Sequence, residues 1–441
     1  MVFQKLKFLR FAPVTIILII LYICLPDEYH TRPLSADVYD CPQDPIADNI
    51  VIVVKTGATE AQEKIPALMH TSLRCVKNVL IFSDREQDMG PYHLHEALKD
   101  TASEVKQKDA IFEFYRKQQV IFQHNGNIKS LKETRDPENN RHLAAWTLGK
   151  YKNIHILERA WELVPDKDWY LFIDADTYII WSNLLRWLPS LDPSEKVHFG
   201  SNIFLSNTPS TNGGSGTHLP KSVMYDLAVT HKGTAARWDQ EIHKSCCGDY
   251  MLSKAVAEYS NELVSVRPES SGHKPATTPF LSTYWCQPVF TMHNFSAPDM
   301  IALNEYERAR SDKSTPLTHA ELFMRVIKDQ LQNMATIRDD WDNWSAVTDL
   351  GSGRKGDEKI AAESVEECIA ACEADPGCFQ FAHDGQNCYL GKAIRLGERR
   401  NPEGGQKWRS GWHQARIARW ADAQEACSSV IFPGAGSEVR N

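Results

Sequence analysis

Asp174 and Asp176 stand two positions apart directly after five apolar residues, Trp169 to Ile173, so two carboxylates emerge where a buried run opens into a loop. Hard divalent cations such as Mg²⁺ or Mn²⁺ take oxygen ligands, are commonly held by one or two carboxylates, and leave positions for substrate phosphates. The other reading of such a D-x-D is a pair of solvated or helix-capping acids. Gly213-Gly214-Ser215-Gly216 precedes a helix-like stretch, Lys221 to Thr230, and lets the backbone either approach a ligand closely or simply bend. Cys246-Cys247-Gly248-Asp249 precedes the helix-like YMLSKAVAEY, where Asp249 suits the helix N-terminus as a cap. Trp285-Cys286-Gln287-Pro288 leads through a strand-like VFTM to His293, whose imidazole is a possible metal ligand or a structural histidine.

The elements around these residues point to an α/β protein. Ile50–Val54, Val79–Phe82 and Trp169–Ile173 are short, nearly continuous apolar runs of the kind that buried parallel strands show. Longer stretches of helical length, such as Leu143 to Leu163, separate them, and the alternation favours a doubly wound layer. Ligands in such sheets sit beyond the carboxyl ends of the strands, which singles out Lys55-Thr56-Gly57, Ser83-Asp84 and Asp174-Ala175-Asp176. Residues 349–359 then break all periodicity with glycine and charge and set a domain boundary.

Composition narrows the class further. The 441 residues are 42% hydrophobic and carry a net charge of −8, which suits a folded body and argues against a dedicated nucleic-acid binder. Residues 11–25 are uncharged and apolar, with Lys5, Lys7 and Arg10 before them and Asp27 and Glu28 after. This bias reads as a signal anchor with residues 1–10 in the cytoplasm, in preference to a cleaved signal peptide. Fifteen helical residues span about 22 Å, and Phe8 and Leu9 with a snorkelling Arg10 close most of the gap to a ~30 Å hydrocarbon core. Residues 26–48, rich in Pro and Asp, read as a stem. The rest then faces an oxidising lumen, where disulfides persist and Asn294 and Asn343 become sequons. Asn343 lies in a polar, loop-like stretch.

The ordered set VVKTG, LIFSD, WYLFIDADTY, GGSG, CCGD and WCQPVFTMH resembles the family 31 inverting glycosyltransferases, the group of Fringe and the core 1 β-1,3-galactosyltransferases. The resemblance spans roughly residues 49 to 310. It implies a GT-A fold over residues 49–348, a type II membrane protein of the Golgi or secretory pathway, a UDP-sugar donor, Mn²⁺, and a glycan acceptor such as O-linked N-acetylgalactosamine. It assigns Asp174, Asp176 and His293 to the metal, Asp249 to the catalytic base, and Lys55, Thr56, Asp84, Gly214 and Ser215 to the nucleotide-sugar pocket. Ala175 departs from the family's D-D-D, and Gly248 replaces an acidic neighbour of the base. Asn294, beside the ligand His293, is expected to be buried. A catalytically inactive relative, acting as a glycan-binding protein or folding chaperone, is the alternative reading.

Five of the eleven cysteines follow residue 360. Ser364-Val365-Glu366-Glu367 has the form of a capping box opening a helix that carries Cys368 and Cys372 on one face; Cys378 directly precedes, and Cys388 lies within, the hairpin-like sequence FQFAHDGQNCYL. Residues 360–432 resemble a PAN or apple module, a small α+β unit, which implies the pairs Cys368–Cys388 and Cys372–Cys378 and a protein or carbohydrate ligand. The pairings of Cys41, Cys75, Cys246, Cys247, Cys286 and Cys427 stay open, with the adjacent Cys246 and Cys247 expected to bond elsewhere rather than to each other.

Overall fold

The computed structural model describes residues 41–205, 208–259, 262–346, 358–402 and 407–434. The anchor segment 11–25 and most of the stem lie outside them. Among the described residues no helix is long and apolar enough to cross a membrane. The described residues from Asp44 onward form one compact unit.

Its centre is an eight-stranded, mostly parallel sheet. The strands are β1 (Ile50–Lys55), β2 (Asn78–Ser83), β3 (Gln87–Met89), β4 (Tyr92–Glu96), β5 (Trp169–Asp174), β6 (Val197–Gly200), β7 (Thr217–Pro220) and β8 (Glu262–Ser265), in the spatial order β8-β6-β7-β5-β1-β2-β4-β3. Adjacent strands pair in parallel except around β7 and in the β3–β4 hairpin. The apolar runs have a simple cause. Side chains alternate across a strand, and both faces of this sheet are covered. Ile50, Ile52 and Val54 of β1 and Leu171 and Ile173 of β5 enter one core. Val51, Val53, Tyr170 and Phe172 enter the other. Three helices matter for the site: α1 (Ala61–His70), α2 (Lys152–Leu163) and α3 (Gly248–Ala257). The stretch expected to be helical from Leu143 to Leu163 has two parts, Ala144–Leu148 and α2, joined by a 3₁₀ turn at Gly149–Tyr151.

The C-terminal sheet has five strands: β9 (Ile337–Asp339), β10 (Glu358–Ala361), β11 (Gln380–His383), β12 (Asn387–Gly391) and β13 (Arg409–Trp412), in the order β9-β13-β11-β12-β10. Helix α4 (Val365–Ala374) packs on it, and the two pairs Cys368–Cys388 and Cys372–Cys378 are bonded as the resemblance implied. The capping box forms by half. Ser364 Oγ accepts from the Glu367 N–H, but the Glu367 carboxylate takes the Glu363 N–H rather than that of Ser364.

The boundary expected at 349–359 needs correction in one respect, because β9 lies upstream of it and belongs to the C-terminal sheet. The two parts also share a core: Ile394, Leu396, Trp412, Ile417 and Ala421 pack with residues of the large sheet's cluster. The Cys286–Cys427 disulfide bridges a sequence separation of 141, and Trp420 packs edge-on against Trp285 and Phe323.

Both sequon expectations are reversed. Asn343 is fully buried, with Nδ2 donating to the Phe381 and Gly411 carbonyls at 3.0 and 3.3 Å, whereas Asn294 is exposed in a left-handed conformation (φ 66°). A polar stretch looks loop-like whether its amides face water or satisfy the backbone of a neighbouring sheet. Asn343→Ala strands those two carbonyls, and a loss of about 1–3 kcal/mol is expected, read as a lower urea midpoint at unchanged slope.

Candidate active site

The carboxyl ends of β1 and β5 meet at the base of a cleft of about 530 Å³. Parallel register sets Lys55 opposite Asp174, and the side chains pair at 3.0 Å. Burial would lower the Lys55 pKa, but the Asp174, Asp249 and Asp176 carboxylates around it raise it on balance. The chain then turns. Ala175 donates its N–H to the Lys55 carbonyl and buries its methyl in the core at 1% exposure. An acid at 175 would point into that apolar cluster, which accounts for the alanine in this chain.

Asp176 returns to the cleft between His293 and Lys64. Its Oδ1 lies 3.0 Å from His293 Nε2 and its Oδ2 accepts from Lys64 Nζ at 3.0 Å. Burial alone would raise its pKa, but His293 and Lys64 hold it well below the ordinary carboxylate range. For His293, burial opposes protonation and the hydrogen bond and charge of Asp176 outweigh it, so its pKa is raised. Donor atoms of Asp174, Asp176 and His293 lie within 4.8 Å of one another. Two carboxylate oxygens and an imidazole nitrogen at that spacing fit a divalent ion.

The glycine loop explains how His293 reaches this position. A Cβ on Gly214 would fall 2.2–2.5 Å from atoms of the His293 ring, so only glycine lets the imidazole pass. Thr177 Oγ1 donates to the Gly214 carbonyl at 2.7 Å and ties the loop to the D-x-D turn. Gly213 donates its N–H to Asp249 Oδ2 at 3.0 Å. Asp249 is not the cap of α3; that position is Cys247, and Asp249 stands in the first turn facing the cleft. Gly248 is also required by packing, because a Cβ there would lie 2.8 Å from the Cα and carbonyl oxygen of Lys150. An acidic residue has no room at that position.

Of the pocket residues expected from sequence, Lys55, Thr56 and Gly214 line the cleft together with Asp174, Asp176, Asp249 and His293. Asp84 and Ser215 do not. Asp84 is fully buried, accepts from the Ala58 N–H at 2.9 Å and forms an ion pair with Lys152. It shapes the β1–α1 loop from beneath, since the strand end places its carboxylate under that loop rather than in the cleft. Ser215 spends its hydroxyl on the Asn212 carbonyl at 2.7 Å inside the glycine loop.

Several cleft residues had no legible signal. Lys64, paired with Glu60 at 2.7 Å on α1, neutralises Asp176 from a sequence distance of 112 residues. Lys152 donates to the Thr56 carbonyl at 2.9 Å. On the outer lip, Trp146 is 52% exposed and stacks on His142 at 4.6 Å, and Leu143, Ile203 and Leu205 add apolar surface. The expectation for the adjacent cysteines is overturned: Cys246 and Cys247 are bonded to each other and line the cleft beside Asp249. Every other described cysteine is itself engaged in a disulfide, which leaves these two to each other.

Residues 46–233 match a family model described as Fringe-like. No curated protein matches the chain. Among solved structures, a glycosyltransferase involved in the glycosylation of the major capsid of PBCV-1 aligns at 14% identity and a TM-score of 0.26. That alignment covers 58% of this chain and 99% of its own.

Proposed function

We propose that this chain, whose residues 46–233 match a Fringe-like family model, is a glycosyltransferase that transfers a hexose, with galactose the first candidate, from a UDP-sugar to a glycan hydroxyl by single displacement with inversion. The product is a β-1,3 linkage, and O-linked N-acetylgalactosamine on protein is the proposed acceptor. The observation that carries this reading is that Asp249 opens into the same cleft as Asp174, Asp176 and His293.

Asp174, Asp176 and His293 would hold Mn²⁺, whose chemistry when bound is Lewis-acid stabilisation of charge on the diphosphate. Lys55 and Lys64 place two further cationic groups at the diphosphate end of the cleft. Asp249 takes the proton of the acceptor hydroxyl as that oxygen bonds to the anomeric carbon. The bond from this carbon to UDP breaks at the same time, and UDP leaves with the electron pair. The Gly213 N–H holds one carboxylate oxygen of Asp249 and so fixes its direction. Disulfides outside the cleft, among them Cys286–Cys427, Cys368–Cys388 and Cys372–Cys378, support residence in an oxidising secretory compartment, in keeping with a Golgi-membrane protein anchored by residues 11–25.

The decisive experiment offers the protein a panel of UDP-sugars with and without Mn²⁺ and follows UDP release and product linkage. Metal-dependent transfer from one donor is expected. No turnover of any donor by protein that still binds UDP would overturn the enzymatic reading in favour of a glycan-binding or chaperone relative.

The apolar lip is the proposed acceptor side. Trp146→Ala removes an exposed aromatic face worth about 0.5–1.5 kcal/mol, so acceptor KM is expected to rise roughly 3- to 10-fold with kcat and donor KM little changed. Steady-state kinetics with varied acceptor checks this.

A further inference from the structure

We propose that Glu86, His93 and His95 form a second metal site, on the outer edge of the large sheet, for a divalent transition-metal ion, with Zn²⁺ the best match to the donor set. His93 and His95 alternate with the fully buried Leu94 on β4, so both imidazoles project from the same face of the hairpin. Glu86 approaches from the segment just before β3. One of its oxygens, Oε2, accepts the Glu96 N–H at 2.8 Å, which turns the other, Oε1, toward the imidazoles. That oxygen lies 2.7 Å from His93 Nε2 and 3.7 Å from His95 Nδ1, and the three donor atoms fall within 4.8 Å of one another.

The surroundings of His93 favour a ligand role. Its other ring nitrogen, Nδ1, lies 2.7 Å from Asp88 Oδ1, which the β3–β4 register sets directly opposite. A carboxylate on the far nitrogen of a histidine fixes the ring and raises its basicity as a metal ligand. Two imidazoles and one carboxylate, with room for a water, are the common set for zinc with an open position. Imidazole donors disfavour Mg²⁺ and Ca²⁺. An ion pair between a protonated His93 and the two acids accounts for the short contacts of His93. It gives no reason for His95, only 17% exposed, to hold a second ring 4.5 Å away with a nitrogen toward the same oxygen. None of the three residues lines the cleft, so this site is independent of the proposed transfer reaction. An ion here would tie the segment before β3 to β4, two residues from the Asp84 that shapes the cleft loop.

The test is calorimetric titration of Zn²⁺ into the full chain carrying Asp174→Asn and Asp176→Asn, which removes the carboxylate ligands of the cleft. One equivalent is expected to bind, and adding either His95→Asn or Glu86→Gln is expected to weaken it at least about 10-fold. Co²⁺ in the parent double variant should give the visible absorption of a four-coordinate site, lost in both further variants. Melting curves without metal establish that each variant is folded, and the two single changes back each other up. Absence of Zn²⁺ uptake by the double variant overturns the proposal. So does an affinity indifferent to both His95 and Glu86, which would leave His93 as one partner of a surface ion pair.

Discussion

Asp249→Asn is expected to lower kcat by about 10²- to 10⁴-fold, the usual worth of a positioned general base, while Mn²⁺ and UDP still bind. The substitution keeps the shape of the side chain and removes its capacity to take a proton. It costs little structurally. Asp249 accepts from the Gly213 N–H and, within its own turn, from the Tyr250 N–H, and an amide oxygen retains one of these two bonds. UDP affinity by calorimetry and transfer by product analysis separate the two functions. Turnover close to that of the unchanged protein would remove Asp249 from the mechanism, and loss of UDP binding together with turnover would mean that the residue only shapes the cleft.

Asp176→Asn has the opposite profile. This carboxylate is the one clasped by both His293 and Lys64, and it contributes a donor to the cluster with Asp174. Changes to groups behind metal ligands typically cost 10- to 100-fold in metal affinity, so loss of a direct ligand is expected to cost at least about 100-fold. UDP binding in the presence of Mn²⁺ should fall with it. Electron paramagnetic resonance of free Mn²⁺ measures the first effect and calorimetry the second. Lys64 also loses its partner charge, so a melting curve must accompany the measurement. Unchanged Mn²⁺ affinity in a folded variant would refute the assignment of this cluster to a metal.

These two outcomes bear on a site that was only partly readable. Asp174 and Asp176 were legible because a buried strand announces itself as a continuous apolar run, and acids directly after it must emerge at the end of the sheet. Asp84 follows the same rule and still misses the cleft. The rule fixes which end of the sheet a residue reaches, and the neighbouring loop decides whether its side chain meets solvent. Removing the chain after Lys359 would not isolate the role of the C-terminal sheet. Trp412 and Ile417 complete a core that includes β1 and β5, and the cut would also sever the Cys286–Cys427 bond.

The chain's own order of residues determined the apolar strands β1, β2 and β5, the helix carrying Cys368 and Cys372 and the D-x-D turn, since each follows from local periodicity or spacing. Tertiary structure alone decided that Lys64 balances Asp176, that Gly248 yields to the Lys150 backbone, that Cys246 bonds Cys247, and that Asn343 is buried while Asn294 is not. In each of these cases the controlling partner comes from a different segment of the chain or, for the cysteine pair, from the engagement of every other described cysteine in a disulfide. Local pattern carries no information about which distant surface will arrive, and packing supplies it.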